Sequence, residues 1–500
     1  MLPLLTSGQI READAYTIAH EPISSIDLME RAAKAFVERF AGRFPDKTQP
    51  VSIYCGTGNN GGDGLAIARM LNDHWYKVNI KIAQFSDKFS NDFSFNLKQI
   101  KEASVPVITI EPGEDLPAEN NVILIDALLG TGLNKPLEGD FKRLVSHINS
   151  LNKTVVSVDM PTGLFSEGEI PASAVVLKAT LVITFQAPKI NFLLPDTGGY
   201  IGHWEAVNIG INEDFTSSLS SPYQATEEKD IRTMLKPRRH FSNKGTYGHA
   251  LIVAGKAETM GAALLCSAGC AYAGAGLTTA CVPASGLTAL NSYMPEIMAV
   301  VRRGPELPDI EWEKFSAIGI GPGLGKDEEA IDLLTDVLTN FQKPLVIDAD
   351  ALNLLAVHKE LWRNIPENSI LTPHVKEFDR LFGEHTSWWQ RMQTGLKKAA
   401  EHKLFILLKN DYTLIMSPAG KIFFNTTSNP AMAVGGMGDV LTGIITGLLA
   451  QGYTPQEACI IGAFIHGKAG DDLALSNQMN VVMPGQLARR LPAVMAKLMT

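Results

Sequence analysis

The sequence predicts two consecutive α/β units, each built on a mainly parallel sheet. Three observations predict it. The first is length: 500 residues exceed one ordinary core, so two domains of roughly 200–280 residues are expected. The second is the alternation, in both halves, of short apolar runs with amphipathic segments, the βαβ pattern of a sheet covered by helices. The third is a polar, serine-rich break between the halves, Asn212 to Pro222. The boundaries that follow are residues 1–215, a linker at 216–225, and 226–500.

Composition narrows the class. A hydrophobic share of 45% and a charged share of 19% are those of a soluble globular protein. A formal charge of −9 without a basic block argues against nucleic acid or an anionic membrane as the main partner. The opening Met1-Leu-Pro-Leu-Leu-Thr6 has no basic region and no long apolar run. No signal peptide is read, and a cytoplasmic protein is expected. Gly261 to Val282 carries no charge, but it is rich in Gly, Ala and Thr and meets Pro283 at once. A buried helix running into a buried strand is expected there, not a membrane span. The five cysteines form no C-x-x-C pair. Cys266 and Cys270 share a helix face, yet two thiols do not complete a metal site, and they read as packing residues of a reduced protein.

In the first half, Ser24-x-x-Asp27 predicts a helix start, and Leu28, Ala32, Phe36 and Phe40 form its apolar stripe. This helix is expected to pack on a sheet and to carry no chemistry. Strands are predicted at Val51–Cys55, Val78–Phe85, Val105–Ile110, Val122–Ala127, Thr154–Val158 and Leu181–Phe185, separated by amphipathic segments. A doubly wound parallel sheet follows, and ligands of such sheets sit beyond the carboxyl ends of the strands. Three loops there stand out. Gly56-Thr-Gly-Asn-Asn-Gly-Gly-Asp-Gly64 satisfies G-x-G-x-x-G between a strand and a helix. No Lys-Ser/Thr pair follows, so it is not a Walker loop, and its Asn59, Asn60 and Asp63 suggest side-chain contacts. The others are Asp126-Ala-Leu-Leu-Gly-Thr-Gly-Leu-Asn-Lys-Pro136 and Val158-Asp-Met-Pro-Thr-Gly163. Asp126 and Asp159 close apolar strands. Each can serve as a loop anchor; converging with Asn60, they make an oxygen-rich pocket suited to a hard cation or to proton transfer.

The second half repeats the alternation with a different sheet. Strands are predicted at Ala250–Gly255, Leu277–Val282, Ala317–Ile320, Leu345–Ile347, Ile370–Thr372 and Phe405–Leu408. A helix of small residues, Gly261–Gly274, invites close approach of another backbone. Ahead of them, Lys236-Pro-Arg-Arg-His-Phe-Ser-Asn-Lys-Gly-Thr-Tyr-Gly248 is locally basic, either a solvated loop or a rim attracting anionic substrate. Strand-end loops again hold the polar residues: Gly319–Gly325, Asp348–Asn353, His374 with Glu377, and Lys409–Thr413. The chain is organised around Gly435-Gly-Met-Gly-Asp439, directly before an apolar helical run. Bare glycine N–H groups and the positive end of a helix make a phosphate hole. A carboxylate at its mouth is poorly suited to bind phosphate, but it can take a proton from a hydroxyl attacking phosphorus. The same Asp could instead cap the helix.

These motifs carry a resemblance. Gly435–Asp439 resembles the anion hole of ribokinase-like enzymes. The run Asn429–Leu449, with residues 225 to 500 around it, resembles their ADP- or ATP-dependent NAD(P)H-hydrate dehydratase branch. That implies a ribokinase-like domain in which Ala262, Gly323, His374 and Asp439 contact the hydrated cofactor. It also implies that Lys409, Asn410, Asp411, Tyr412, Thr413 and Gly438 contact ADP with its Mg2+, and that Asp439 is the base. The family usually has Thr where Met437 stands and Gly where Asn410 stands. The three loops of the first half resemble the Rossmann-like NAD(P)H-hydrate epimerase domain over about the first 210 residues. That implies that Asn59, Asn60, Gly61, Gly62, Asp63, Gly130, Thr131, Gly132, Leu133, Asn134, Lys135, Pro136 and Asp159 bind substrate and that Asp159 handles a proton. It also implies a potassium ion on Asn60, Asp126 and Thr162, where the family more often has Ser at the last.

Both resemblances name one substrate. The fused chain is expected to be an isomerase and a lyase that repairs hydrated NADH and NADPH. One domain would interconvert the R and S hydrates. The other would dehydrate the S form by phosphorylating its ring hydroxyl and eliminating phosphate, with ADP giving AMP. The fused arrangement resembles the bacterial form, which favours ADP. Small molecules are the expected partners, and a homo-oligomer is expected. The rival is a ribokinase-like kinase of a vitamin precursor fused to a non-catalytic nucleotide-binding or scaffold domain.

Overall fold

The structure, a computed structural model, describes residues 1–303 and 308–500, the side chains of Ser476 and Asn477 excepted. It divides into two compact units, one of Leu2–Ser221 with Ser387–Trp389, the other of Met1, Pro222–Thr386 and Gln390–Thr500.

The first unit starts with helix Ser7–His20 and then helix Ser25–Arg43. Ser24 and Asp27 form the expected capping box, and Leu28, Ala32, Phe36 and Phe40 are buried as one stripe. The sheet is parallel throughout, in the order Val107–Ile110, Val78–Ala83, Val51–Cys55, Ile123–Ala127, Thr154–Val158, Leu181–Phe185, Trp204–Val207. Val51–Cys55 and Ile123–Ala127 are wholly buried apolar runs, as strands covered on both faces must be. The chain enters at Val51–Cys55, winds to one edge, and returns to the other side at Ile123–Ala127. The strand order therefore reverses between these two, and the loops that follow them flank a ligand crevice.

Two expected helical connections are absent. Residues 111–122 and 159–180 hold no helix, because Pro112 and Pro117 in the one, and Pro161, Gly163, Gly168 and Pro171 in the other, break helical hydrogen bonding. The serine-rich break is not an open linker throughout. Glu213–Ser218 form a short helix, since Asn212 accepts from the Phe215 N–H at 2.8 Å and Glu213 and Asp214 suit a helix N-terminus. Phe215 stacks on Tyr16 at 3.9 Å.

In the second unit the strands lie in the order Tyr223–Ala225, Ile422–Phe424, Leu414–Met416, Phe405–Leu408, Ile370–Leu371, Val346–Ile347, Ala317–Ile320, His249–Val253, Leu277–Pro283, Met298–Arg302. From Phe405–Leu408 to Met298–Arg302 they are parallel, whereas Leu414–Met416 is antiparallel to both its neighbours. Gly261–Val282 resolves into helix Met260–Tyr272 and strand Leu277–Pro283, and no described helix is long and apolar enough to cross a membrane. The small residues let helix Met437–Ala450 come very close: a Cβ on Gly443 would lie 1.9 Å from the Cys266 carbonyl oxygen. All five cysteines are buried and free.

The basic stretch 236–248 feeds the amino end of His249–Val253, away from the strand ends that carry the candidate residues. Arg238 donates to the Gly274 carbonyl at 2.6 Å and Lys236 to that of Gly452 at 3.3 Å. Both carbonyls follow helix C-termini, where cations are favoured. The reading of this stretch as a rim for anionic substrate is thereby corrected.

Candidate active sites

The crevice of the first unit opens into a cavity of about 520 Å³. The first turn of helix Asn59–Asp73 supplies Asn59, Asn60 and Asp63 to it, and the loop after Ile123–Ala127 supplies Gly130, Thr131 and Gly132. Gly61 and Gly62 pack behind the lining. A Cβ on Gly61 would sit 1.8 Å from the Gly56 carbonyl oxygen, so the turn requires glycine there. Leu133, Asn134, Lys135 and Pro136 lie beyond the lining residues.

Asp159 faces the same cavity from a left-handed backbone, φ 63°. Such a conformation is tolerated by Asp and found at strained functional turns. Its Oδ1 accepts from Thr184 Oγ1 at 3.0 Å, Phe185 N at 2.9 Å and Lys189 Nζ at 2.6 Å. Lys189 is almost wholly buried, so the pair is a desolvated, charge-assisted one. Sequence reasoning missed Lys189, although it lies in Ala187-Pro-Lys189, just beyond strand Leu181–Phe185, where the rule of strand-end loops points. It also missed Asp14, on the helix that precedes the sheet. Burial and then Asp159 push the Asp14 carboxyl up to about 6. Burial, then Asp159 and Asp14, holds Asp63 well above the usual carboxylate range.

Behind the cavity, Thr162 Oγ1 donates to Asp126 Oδ1 at 2.6 Å and Thr162 N to Oδ2 at 2.9 Å. Ser157 adds a bond to Oδ2 at 2.8 Å. Burial raises the Asp126 carboxyl in spite of these donors. Asn60 stands beside Gly130, where a Cβ would lie 3.3 Å from its Cγ, and its amide nitrogen is buried without a partner among the described residues. Carboxylate, hydroxyl and amide oxygens are the donors a hard cation takes.

The second site lies at the carboxyl ends of the parallel strands of the second unit. Gly436 adopts φ 94° and starts helix Met437–Ala450 without a side-chain cap, which leaves the first N–H groups free for an anion. Asp439 stands in the first turn. Its carboxylate accepts no hydrogen bond from a described residue, which disfavours the capping role. Burial, then the neighbouring Asp348, pushes it up to about 6. Lys409 Nζ donates to Asp348 Oδ1 at 2.8 Å, and Thr442 Oγ1 to Asp348 Oδ2 at 2.6 Å. A Cβ on Gly438 would lie 3.2 Å from Lys409 Nζ, so the ammonium stands beside the glycine turn. Lys409, Asn410, Asp411, Tyr412 and Thr413 form the hairpin loop between Phe405–Leu408 and Leu414–Met416. Met437 buries its side chain in the core.

Ala262 and Gly323 come together: a Cβ on Gly323, φ 58°, would lie 2.9 Å from that of Ala262, and Thr259 Oγ1 donates to the Gly323 carbonyl at 2.6 Å. His374 has a structural task as well. It caps helix Val375–Phe382, its Nδ1 accepting from Lys376 N at 3.1 Å and Glu377 N at 3.3 Å. Sequence reasoning passed over His466, half-buried on helix Pro455–Asn477, whose Nε2 lies 3.1 Å from the Met437 carbonyl oxygen. Burial lowers it to about 4, so it braces the glycine turn as a neutral ring. A lone mid-helix His gives no sequence signal of that role.

Residues 250–493 match the family described as NAD(P)H-hydrate dehydratase, and residues 25–191 match the YjeF-related protein N-terminus. The chain is similar to the bifunctional NAD(P)H-hydrate repair enzyme of Moorella thermoacetica, 32% identical over 99% of this chain and 97% of that one. The enzyme of the same name from Escherichia coli is 32% identical over 90% of this chain and 85% of its own length. Among solved structures, an ADP/ATP-dependent NAD(P)H-hydrate dehydratase from Bacillus subtilis, co-crystallised with ATP and Mg2+, is 29% identical and covers 55% of this chain and 98% of its own, with a TM-score of 0.49. With relatives this similar through both of its units, the chain belongs to the bifunctional NAD(P)H-hydrate repair enzymes.

Proposed function

We propose that the first unit interconverts the R and S hydrates of NADH and NADPH, and that the second dehydrates the S hydrate with ADP, yielding AMP and phosphate. The observation that carries the reading is Asp439: a carboxylate that accepts no hydrogen bond from a described residue, within the first turn of a helix whose glycine N-terminus can hold phosphate. Asp439 takes the proton of the ring hydroxyl, whose oxygen attacks the β-phosphorus of ADP as the bond to AMP breaks. The phosphate ester then leaves, its C–O bond breaking with the push of the ring nitrogen, and loss of a ring proton restores the dihydropyridine. Lys409 and the glycine N–H groups offset the developing charge. Asp350 and Glu377, whose charges bear on Asp439, are donors of the kind that suit Mg2+, which supplies further charge neutralisation when bound with ADP.

In the first unit Asp159 handles the proton and Lys189 holds it in place. Asn60, Asp126 and Thr162 would hold potassium, whose charge supports the site when bound. A cytoplasmic homo-oligomer acting on small molecules is part of the same reading. A kinase of a vitamin-precursor alcohol would leave the first unit without a task. The test is direct: purified protein and hydrated NADH should regain reduced-nicotinamide absorbance only when ADP is added. No return of absorbance overturns the reading. Epimerisation should be faster in potassium than in sodium buffer of equal ionic strength, and equal rates exclude the ion.

A further inference from the structure

The cavity of the first unit contains a second carboxylate that the preceding reading leaves unused. Asp14 lies on helix Ser7–His20, in the same lining as Asp63, Asp159 and Lys189. Asp159 is tied by three donors, Lys189 among them. The Asp14 carboxylate accepts no hydrogen bond and forms no ion pair with a described residue. One carboxylate is thus tied to a buried ammonium, and the other stands free of described partners in the same cavity. Environments that differ in this way separate two like groups into an acid and a base.

The chemistry asks for such a pair. The hydrate carries its hydroxyl on the carbon next to the ring nitrogen. Inversion there requires the C–O bond to break and to re-form on the opposite face. Breaking it needs a proton on the leaving oxygen, and re-forming it needs a base for the incoming water. Resting on the epimerase reading of this unit, we propose that Asp14 is a catalytic residue, the acid partner of Asp159. In one direction Asp14 gives its proton to the departing oxygen while the nitrogen lone pair forms a C=N bond, and water leaves. Water then adds from the other face, its oxygen forming the new C–O bond, the C=N electrons returning to nitrogen and its proton passing to Asp159. In the reverse direction the two carboxylates exchange tasks, so atoms, charge and protons balance without a further reactant. Burial and Asp159 keep Asp14 protonated to about pH 6, which supports the assignment. The charged groups that share its cavity are Arg11, Asp63, Asp92, Asp159 and Lys189.

The experiment follows separated R and S hydrates with the full chain in water enriched in heavy oxygen. The parent should incorporate solvent oxygen with each inversion. Asp14→Asn should slow epimerisation by roughly 10²–10⁴-fold, while ADP-dependent consumption of the S hydrate and the melting temperature stay at parent values. The decline of the parent's kcat/KM above about pH 6 should vanish from the residual rate. Asp14→Glu, which keeps the acid, should recover part of the rate, as a merely structural loss would not. Epimerisation by Asp14→Asn within about threefold of the parent, small beside a general-acid effect, overturns the proposal and leaves the epimerase reading standing. So does inversion by the parent without solvent oxygen uptake. A parent that does not epimerise at all overturns both.

Discussion

At the scale of the residue, the environment of Asp439 sets what it can do. Its carboxyl is pushed from 3.8 to about 6 by burial and by Asp348. A general base must be ionised, so kcat/KM for dehydration should fall about tenfold per pH unit below about 6 and level off above it. Asp439→Asn should lose roughly 10²–10⁴-fold in rate and the pH dependence with it; a variant within a factor of about three of the parent would make Asp439 a cap, not a base. Stability moves the other way. A raised carboxyl contributes stability that is whole below its unfolded value and is lost as pH rises through its folded one. At neutral pH its ionised form therefore weighs against folding, and Asp439→Asn should melt no lower than the parent. Inactivity with a sharply lowered melting temperature would point to misfolding instead.

At the scale of the element, the anion hole depends on how its helix is seated. Helix Met437–Ala450 lies backbone to backbone on helix Met260–Tyr272, where a Cβ on Gly443 would meet the Cys266 carbonyl at 1.9 Å and one on Gly447 the Cys270 carbonyl at 2.5 Å. Helix propensity alone favours alanine over glycine by about 1 kcal/mol. The clash outweighs it, because rigid backbone must move rather than a side chain swing away, and overpacking of this kind costs about 1–3 kcal/mol or more. Gly443→Ala should therefore lower the denaturant midpoint and, by shifting the first turn that holds Asp439, reduce dehydration. An unchanged midpoint would show that the two helices part at no cost.

At the scale of the whole molecule, each unit has its own sheet, its own apolar core and its own polar strand ends. The two chemistries should therefore separate by mutation. Asp159→Ala should stop epimerisation and leave ADP-dependent consumption of the S hydrate nearly unchanged, and Asp439→Ala should do the reverse. With an R and S mixture, Asp159→Ala should consume the S fraction quickly and then slow to the spontaneous epimerisation rate. Loss of dehydration in a folded Asp159→Ala protein would show that the two sites are coupled.

Local chemistry made much of this legible in the sequence. The apolar runs, the capping box at Ser24 and Asp27, the uncharged helix and strand after Met260, and every glycine loop that ends up at a strand end follow from periodicity and turn chemistry, which act over a few residues. Strand ends and short strands were less legible: Val78–Ala83 stops before Phe85, and Leu414–Met416, Ile422–Phe424 and Met298–Arg302 are apolar runs too short for periodicity to mark as strands. The same limit governs the sites. Asp159, Asp439 and Lys409 announce themselves at strand ends or glycine turns. Asp14, Lys189 and His466 acquire their places only when a helix, a loop and a distant buried turn are brought together. Burial then shifts Asp14 and Asp439 upward and His466 downward. The residue types and their local turns were determined by the sequence itself. Which carboxylate is tied to an ammonium and which stands free was decided by tertiary structure alone, because desolvation and charge pairing depend on neighbours far along the chain.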